Sequence, residues 1–344
     1  MQNQTIKIVV GLVGIVLVIA GGILWKKAIP QSSPQTAQSL VIYSGRKEPL
    51  IIPVIRAFEK DTGIKVTVKS GSSEELALII MKEGDKSPAD LYMGTDAGLL
   101  DMLSQKKLLT PITTDKLNQL PAQYRSVTNT WTGVSGRSRV LIVNTDLVPE
   151  EEFPTSVSDI IDPKWRGKVA LAKLTNESVV THLSALRILQ GETATQQFLL
   201  GLKANEVTFL PGHTDVRQAV ARGEYAIGLV NHYYGHLQQQ ESDNIAIIYP
   251  DQDEGGVGAF VNVSGVGILV AGKNQTEAQL FVDYLLKPET QSLFAKLNFE
   301  YPLMPGIPAD SVRQLDSFAH VPVSLDKAGS ERQKTLELIR TLGL

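Results

Sequence analysis

The feature that most restricts this chain is a repeated alternation of short apolar runs with amphipathic stretches, joined by small polar residues. Leu40-Val-Ile-Tyr43 is a strand leading into Ser44-Gly45-Arg46-Lys47-Glu48-Pro49. Apolar residues then fall at Leu50, Ile51, Val54, Ile55 and Phe58, the spacing of a helix, and Thr62-Gly63 stops it. Ile64 to Val68 alternates as a strand, and Ser72 or Ser73 can cap the helix Glu74 to Glu83. Asp90 to Met93 is a third strand with the polar exit Gly94-Thr95-Asp96-Ala97-Gly98, and Leu99 to Lys107 is again helical. Such alternation predicts an α/β fold with mostly parallel sheet, whose loops at the strand carboxyl ends line a cleft. Ser44, Arg46, Lys47, Thr95 and Asp96 fall on those loops.

Beyond Trp131 the chain changes partner. Arg137 to Val143 is a long strand that carries it into a second lobe. Val169 to Ala172 is a strand whose exit, Lys173-Leu-Thr175-Asn176-Glu-Ser178, feeds the helix Val179 to Gln190. Hydroxyls and backbone N–H groups at a helix start suit an anion, and they equally suit an ordinary cap. A helix ends at Asn205, Glu206 to Leu210 is a strand, and Asp215 to Arg222 is a helix. Val261 to Val270 is a strand crossing back, followed by helices over Thr276–Leu286, Glu289–Leu297 and Glu331–Leu342. The expected lobes are 40–138 plus 264–312 and 139–263 plus 313–344. Two α/β lobes crossed more than once describe a hinged clamp rather than a tandem of independent domains.

The second lobe carries the most suggestive stretch. The apolar run Ala226 to Val230 breaks into Asn231-His232-Tyr233-Tyr234, just past a strand's carboxyl end. A phenol ionises near pH 10, so a hard, highly charged cation is the partner that would deprotonate two of them. The plainer reading is that both rings cap a core with their hydroxyls at the surface. His232 and His236 lie four apart, a helical spacing for Zn²⁺, yet no third ligand is evident. With no cysteine, thiolate sites and Cys nucleophiles are excluded, and neither a phosphate-cradling glycine loop nor a nucleophile elbow occurs. The expectation is therefore not an enzyme. A net charge of −3 gives no footprint for nucleic acid.

The N-terminus stands apart. Ile8 to Leu24 is uninterrupted and uncharged, about 25 Å as a helix, close to the lower limit for crossing a bilayer. It fits a signal peptide or an uncleaved anchor, and the poor cleavage site at Ala20-Gly21-Gly22 favours the anchor. Residues 1–27 then form the signal-anchor segment. Residues 28–39, rich in Pro, Ser and Gln, form a flexible linker.

Six motifs in order carry a resemblance: Leu40-Val-Ile-Tyr-Ser-Gly-Arg46, Phe58-Glu-Lys-Asp-Thr-Gly-Ile-Lys-Val66, Ser87-Pro-Ala-Asp90, Thr95-Asp-Ala-Gly98, Asn231-His-Tyr-Tyr234 and Glu300-Tyr-Pro-Leu303. Over residues 40 to 343 the chain resembles the ferric-iron-binding proteins of iron(III) ABC transporters, within the type II, transferrin-like periplasmic solute-binding proteins. The resemblance implies a two-lobe clamp of the Venus-flytrap kind. Tyr233 and Tyr234 would ligate Fe³⁺ as phenolates, and a synergistic anion, phosphate or carbonate, would sit on Thr175, Asn176 and Ser178, with Asn231 and Ser44 nearby. It implies a monomer, extracytoplasmic or periplasmic, that delivers its cargo to a membrane permease. Two departures matter. Lys47 stands where many members place a histidine ligand, and Thr95 where many place a glutamate. Asp96 is then the expected substitute ligand, Glu48 the next, and Arg46 with Lys47 could hold the anion. The alternative on the same clamp is metal-free binding of a phosphorylated or other anionic organic solute.

Overall fold

A computed structural model describes residues 38–308 and 311–344. The apolar run Ile8–Leu24 and most of the linker lie outside the described residues. Among those described, no helix is long and apolar enough to cross a membrane.

The chain begins with β1 (Ser39–Ser44), α1 (Glu48–Thr62), β2 (Lys65–Ser70), α2 (Ser73–Glu83), β3 (Leu91–Gly94) and α3 (Ala97–Gln105). Each helix forms for a readable reason. α1 carries Pro49 in its first turn, buries Ile51, Val54, Ile55 and Phe58 on one face, and stops at Gly63, whose left-handed backbone donates its N–H to the Glu59 carbonyl. α2 is capped by the Ser72 side chain. After the two-residue β4 (Leu109–Thr110) comes β5 (Trp131–Asn144), buried along its whole length. Then follow β6 (Val169–Ala172), α4 (Glu177–Gln190), α5 (Glu192–Ala204), β7 (Thr208–Leu210), α6 (His213–Ala221), β8 (Ile227–Asn231), α7 (His232–Gln239) and β9 (Ile245–Ile248). The chain closes with β10 (Val261–Leu269), α8 (Gln275–Leu285), α9 (Pro288–Asn298), α10 (Leu325–Ser330) and α11 (Arg332–Thr341).

The strands run in the order β2-β1-β3-β10-β5-β8-β6-β7, with β4 on β10 and β9 on β5. β1 is parallel to β2 and β3, and β6 is parallel to β7 and β8. Between these parallel wings lies an antiparallel centre. The first half of β5 pairs with β10, interrupted by a bulge at Ser264/Gly265, and its second half pairs with β8 and β9. β5 thus hands the chain from one wing to the other.

Apolar packing divides at the same place. Val134 belongs to a first core with Phe58, Phe281, Tyr92 and Trp131. Beyond Arg139, Leu141 and Val143 pack in a second with Trp165, Leu171, Leu202 and Leu229, and Val140 and Ile142 pack in a smaller cluster with Val216, Val220 and Val230. The stretch between, Ser135-Gly-Arg-Ser-Arg139, is polar and buried and marks the changeover between the cores. The expected lobe boundaries shift in two places. Ala259 to Val263, and Phe318, Val321, Val323, Leu325 and Ala328, pack in the first core, whereas Leu338, Ile339 and Leu342 pack in the second. The C-terminal changeover therefore comes between α10 and α11. A period-3.6 pattern finds a helix but not which core it faces.

Candidate metal centre

β8 ends at Asn231 and α7 starts at once, which puts Tyr233 and Tyr234 in the first turn of a helix at a strand's carboxyl end. Gly235 lets that helix lie close: a Cβ there would come within 2.8 Å of the Ile247 side chain on β9. The two rings are 4.2 Å apart, tilted by 31°, and Tyr234 lies 5.4 Å from the ring of His213. Both phenols line a cavity of about 530 Å³ bounded by residues of both wings. Neither hydroxyl is committed to an acceptor elsewhere among the described residues. Burial pushes the Tyr233 phenol well above its ordinary range, the adjacent Tyr234 pushes the same way, and Arg137 opposes them.

From the polar segment of β5, Arg137 lines the cavity and Arg139 lies behind it. Arg139 is fully buried; it donates to Asn231 Oδ1 at 3.3 Å and to the Leu229 carbonyl at 3.2 Å, and lies 3.4 Å from His213 Nε2. Burial pushes its guanidinium down to about 9, against the pull of the two phenols. His213 is held well below its usual range by burial and by the two arginines, so it faces them as a neutral ring. Arg137 is the residue that sequence reasoning missed. It is only 4% exposed, it lines the cavity, and its Nε and Nη2 have no partner among the described residues. A buried guanidinium without an acceptor is costly unless something anionic completes it. The signal was present: Arg137 and Arg139 are two apart in a strand, so they share one face.

The other expected residues divide. Asn231 lines the cavity, as do Asn176 and Ser178, whose plain reading also holds: Asn176 Oδ1 accepts from the Ser178 amide at 3.2 Å and hydroxyl at 2.9 Å as a helix cap. Ser178 Oγ also meets His213 Nε2 at 2.9 Å. Thr175 is exposed and outside the lining. Ser44 is fully buried behind the cavity, its hydroxyl accepting from the Arg46 amide. Arg46 lines the cavity; its guanidinium makes a buried ion pair with Glu300 at 2.6 Å, donates to Ser135 at 3.3 Å and lies over Phe294, while its Nε has no partner among the described residues. Lys47 stands exposed at the rim with no ion pair among the described residues. Glu48 is exposed and accepts from Ser70, outside the lining.

Asp96, the expected substitute ligand, stands apart from the cavity. It is fully buried and lies outside the cavity, capping α3 through Gly98 N at 2.8 Å while accepting from Thr181 Oγ1 at 2.9 Å and from Asn262 Nδ2. Three donors hold its oxygens, and it does not reach the cavity lining. The histidine pair also faces inward. His232 stacks on Tyr301 at 4.0 Å and accepts from the Ser138 amide, and His236 stacks on Phe299. Among the described residues no group of three His, Cys, Asp or Glu is placed to hold a metal. A metal here would rest on the phenols, with exogenous donors filling its remaining positions.

Residues 86–319 match the family of bacterial extracellular solute-binding proteins. The Fe(3+)-binding periplasmic protein of Serratia marcescens is 33% identical over 314 residues, covering 89% of this chain and 91% of that one. The major ferric iron-binding protein of Neisseria meningitidis is 29% identical over 321 residues, covering 92% and 96%. Iron-bound HitA of Pseudomonas aeruginosa, 29% identical, superimposes with a TM-score of 0.82 over 89% of this chain and 100% of that one. The mixed sheet with helices around two cores has the fold of the type II periplasmic binding proteins. Its wings and its antiparallel centre, the cleft between them and two-thirds of the chain in register with one family all converge: the chain belongs to the bacterial extracellular solute-binding proteins.

Proposed function

We propose that this chain is the extracytoplasmic substrate-binding component of an ABC importer, that it captures ferric iron in the cleft between its wings, and that it delivers the iron to a membrane permease. The observation that carries the reading is the pair of adjacent phenols at the cleft end of β8, in one cavity with the buried Arg137 of β5. Fe³⁺ is a hard cation that takes oxygen donors, and two phenolates leave one positive charge for an anion to offset. Arg137, with Asn176, Ser178 and Asn231, would receive that anion; inorganic phosphate or carbonate has the size and charge for it. The relatives' names, which specify periplasmic and ferric iron-binding proteins, support the same cargo and compartment.

Capture would begin on Tyr233 and Tyr234, and closure would follow by rotation of the wings about the crossings near Arg139 and Val263. Only contacts made in the closed state can drive that step. The apolar segment Ile8–Leu24 would serve as anchor or export signal. A tether raises the effective concentration at the permease without tighter intrinsic binding.

A second reading keeps the clamp and drops the metal: an anionic organic solute held by Arg137. The unpartnered guanidinium favours it, as does the lysine at position 47. A visible absorption titration with ferric citrate, in phosphate or bicarbonate, decides between them. A tyrosinate-to-iron charge-transfer band lost in Tyr233→Phe is the expected result. No band, with thermal stabilisation by a phosphorylated solute, would sink the ferric reading in favour of the second.

A further inference from the structure

Thr95 is the exit residue of β3, where the expected metal ligand is missing. Its hydroxyl donates across the cleft to Glu177 Oε1 at 3.2 Å, the first residue of α4 in the opposite wing. The contact is backed on both sides. Thr95 N donates to Ser73 Oγ at 3.0 Å, and the Ser73 hydroxyl returns to Thr95 Oγ1 at 2.6 Å, which fixes the threonine's proton toward the glutamate. The loop bearing Arg46 and Lys47 is pressed on the same serine: a Cβ at Gly45 would fall 1.9 Å from Ser73 Oγ, so only glycine fits. On the far side Arg332, 6% exposed at the head of α11, donates to the Glu177 carbonyl at 3.4 Å and pairs with Glu74 on α2 at 3.4 Å. Arg332 sits where the C-terminal segment changes from the first core to the second.

We propose that Thr95 and Glu177 form a latch that holds the cleft shut, with Arg332 clasping Glu177 to the first wing. Position 95 thus closes the clamp through a hydrogen bond between the wings rather than through a ligand to the cargo. Thr95, Ser73 and Glu177 are hydrogen-bonded to one another across this rim, which suits it to grip the opposite wing rather than a metal. The latch is neutral toward cargo identity. It rests on the two-wing clamp and not on iron.

Because the chain has no cysteine, a spin-label pair at Lys60→Cys on α1 and Gln197→Cys on α5 reports the distance between the wings alone. In the full-length chain without cargo, Thr95→Val should shift that distribution to longer distances. The ratio of open to closed forms should rise roughly tenfold, the low end for a hydrogen bond to a charged acceptor. Thr95→Ser, which keeps the hydroxyl, should restore the original distribution, and Glu177→Ala, changed on the opposite wing, should reproduce the Thr95→Val shift. Unchanged distances in Thr95→Val, or in Glu177→Ala should Thr95→Val fail to fold, overturn the latch. Absence of a ferric band in the unsubstituted chain would instead sink the cargo assignment and leave these distances to decide the latch.

Discussion

The two faces of the cleft use their polar residues in opposite ways. On the β8–α7 face and the β5 floor, capacity is left open: two adjacent phenols without outside acceptors, and Arg137 with two unpartnered nitrogens. On the β1–β3 face the polar groups are mostly answered by neighbours. Arg46 Nη2 pairs with Glu300, Ser73 with Thr95, and Asp96 with Asn262 and, from α4 of the opposite wing, with Thr181. Buried polar groups are normally satisfied within the protein. A face that leaves them open has been built for something that arrives from outside, and a face that closes them is built to hold shape. Capture belongs to the first kind and closure to the second.

The largest effect should come from the phenols. Tyr233→Phe or Tyr234→Phe removes a donor to the metal itself, so ferric affinity should fall by more than about a hundredfold, beyond what loss of a supporting partner costs. Retained affinity in both variants would erase the contrast between the faces. The pH response follows from the same site. Burial holds the Tyr233 phenol protonated, well above its ordinary range, so ferric binding must expel that proton and acid competes with the metal. Affinity should decline by about tenfold per pH unit for each phenolate ligand. Titrations at pH 6 and pH 8 should show the slope drop by about one in whatever binding Tyr233→Phe retains.

Arg137→Met ranks next. It keeps the length of the side chain and removes the charge that offsets an anion, so ferric affinity in phosphate should fall about ten- to a hundredfold, as for other supporting partners of a metal. An equal loss in a buffer without phosphate or bicarbonate would show that the guanidinium serves the phenolates rather than an anion. Lys47→His is smaller and of opposite sign. An ammonium cannot ligate and an imidazole can, so a rim histidine should slow ferric release to a competing chelator, by about tenfold. An unchanged release rate would place residue 47 beyond reach of the cargo, and the contrast between the faces would be sharper for it.

Much of the fold is visible in the residue pattern because each strand and helix buries its own stripe. The α1 stripe of Ile51, Val54, Ile55 and Phe58 and the β8 run from Ile227 to Val230 are examples. The phenol pair was legible for the same reason: polar residues directly after a buried strand must emerge at the sheet's edge. What stayed hidden depends on contacts remote in sequence. Arg46 looked free for an anion, but its partner Glu300 lies 254 residues away. Arg137 looked like the start of a strand, and only the division of the cores on β5 shows that it floors a cleft. The Thr175–Ser178 loop could have been a cap or an anion site; the geometry makes Asn176 a cap whose neighbours still face the cavity.

Asp96 is where the two faces were most easily confused, and its removal should affect cargo least. As a ligand it would give Asp96→Ala a collapse of ferric affinity with an intact fold. The geometry requires the reverse. Alanine removes the cap of α3, worth about 1 kcal/mol, and strands the Asn262 amide and the Thr181 hydroxyl in a buried site. Folding should therefore weaken by about 2 to 4 kcal/mol, read by denaturant unfolding, while ferric affinity of the folded fraction stays at its original value. A milder change separates the causes. Thr181→Val leaves the cap of α3 in place and deletes only one donor to the carboxylate, so it should cost about 1 kcal/mol and again spare the cargo. Loss of ferric affinity in either variant without loss of stability would return Asp96 to the cleft and undo the division of labour between its two faces.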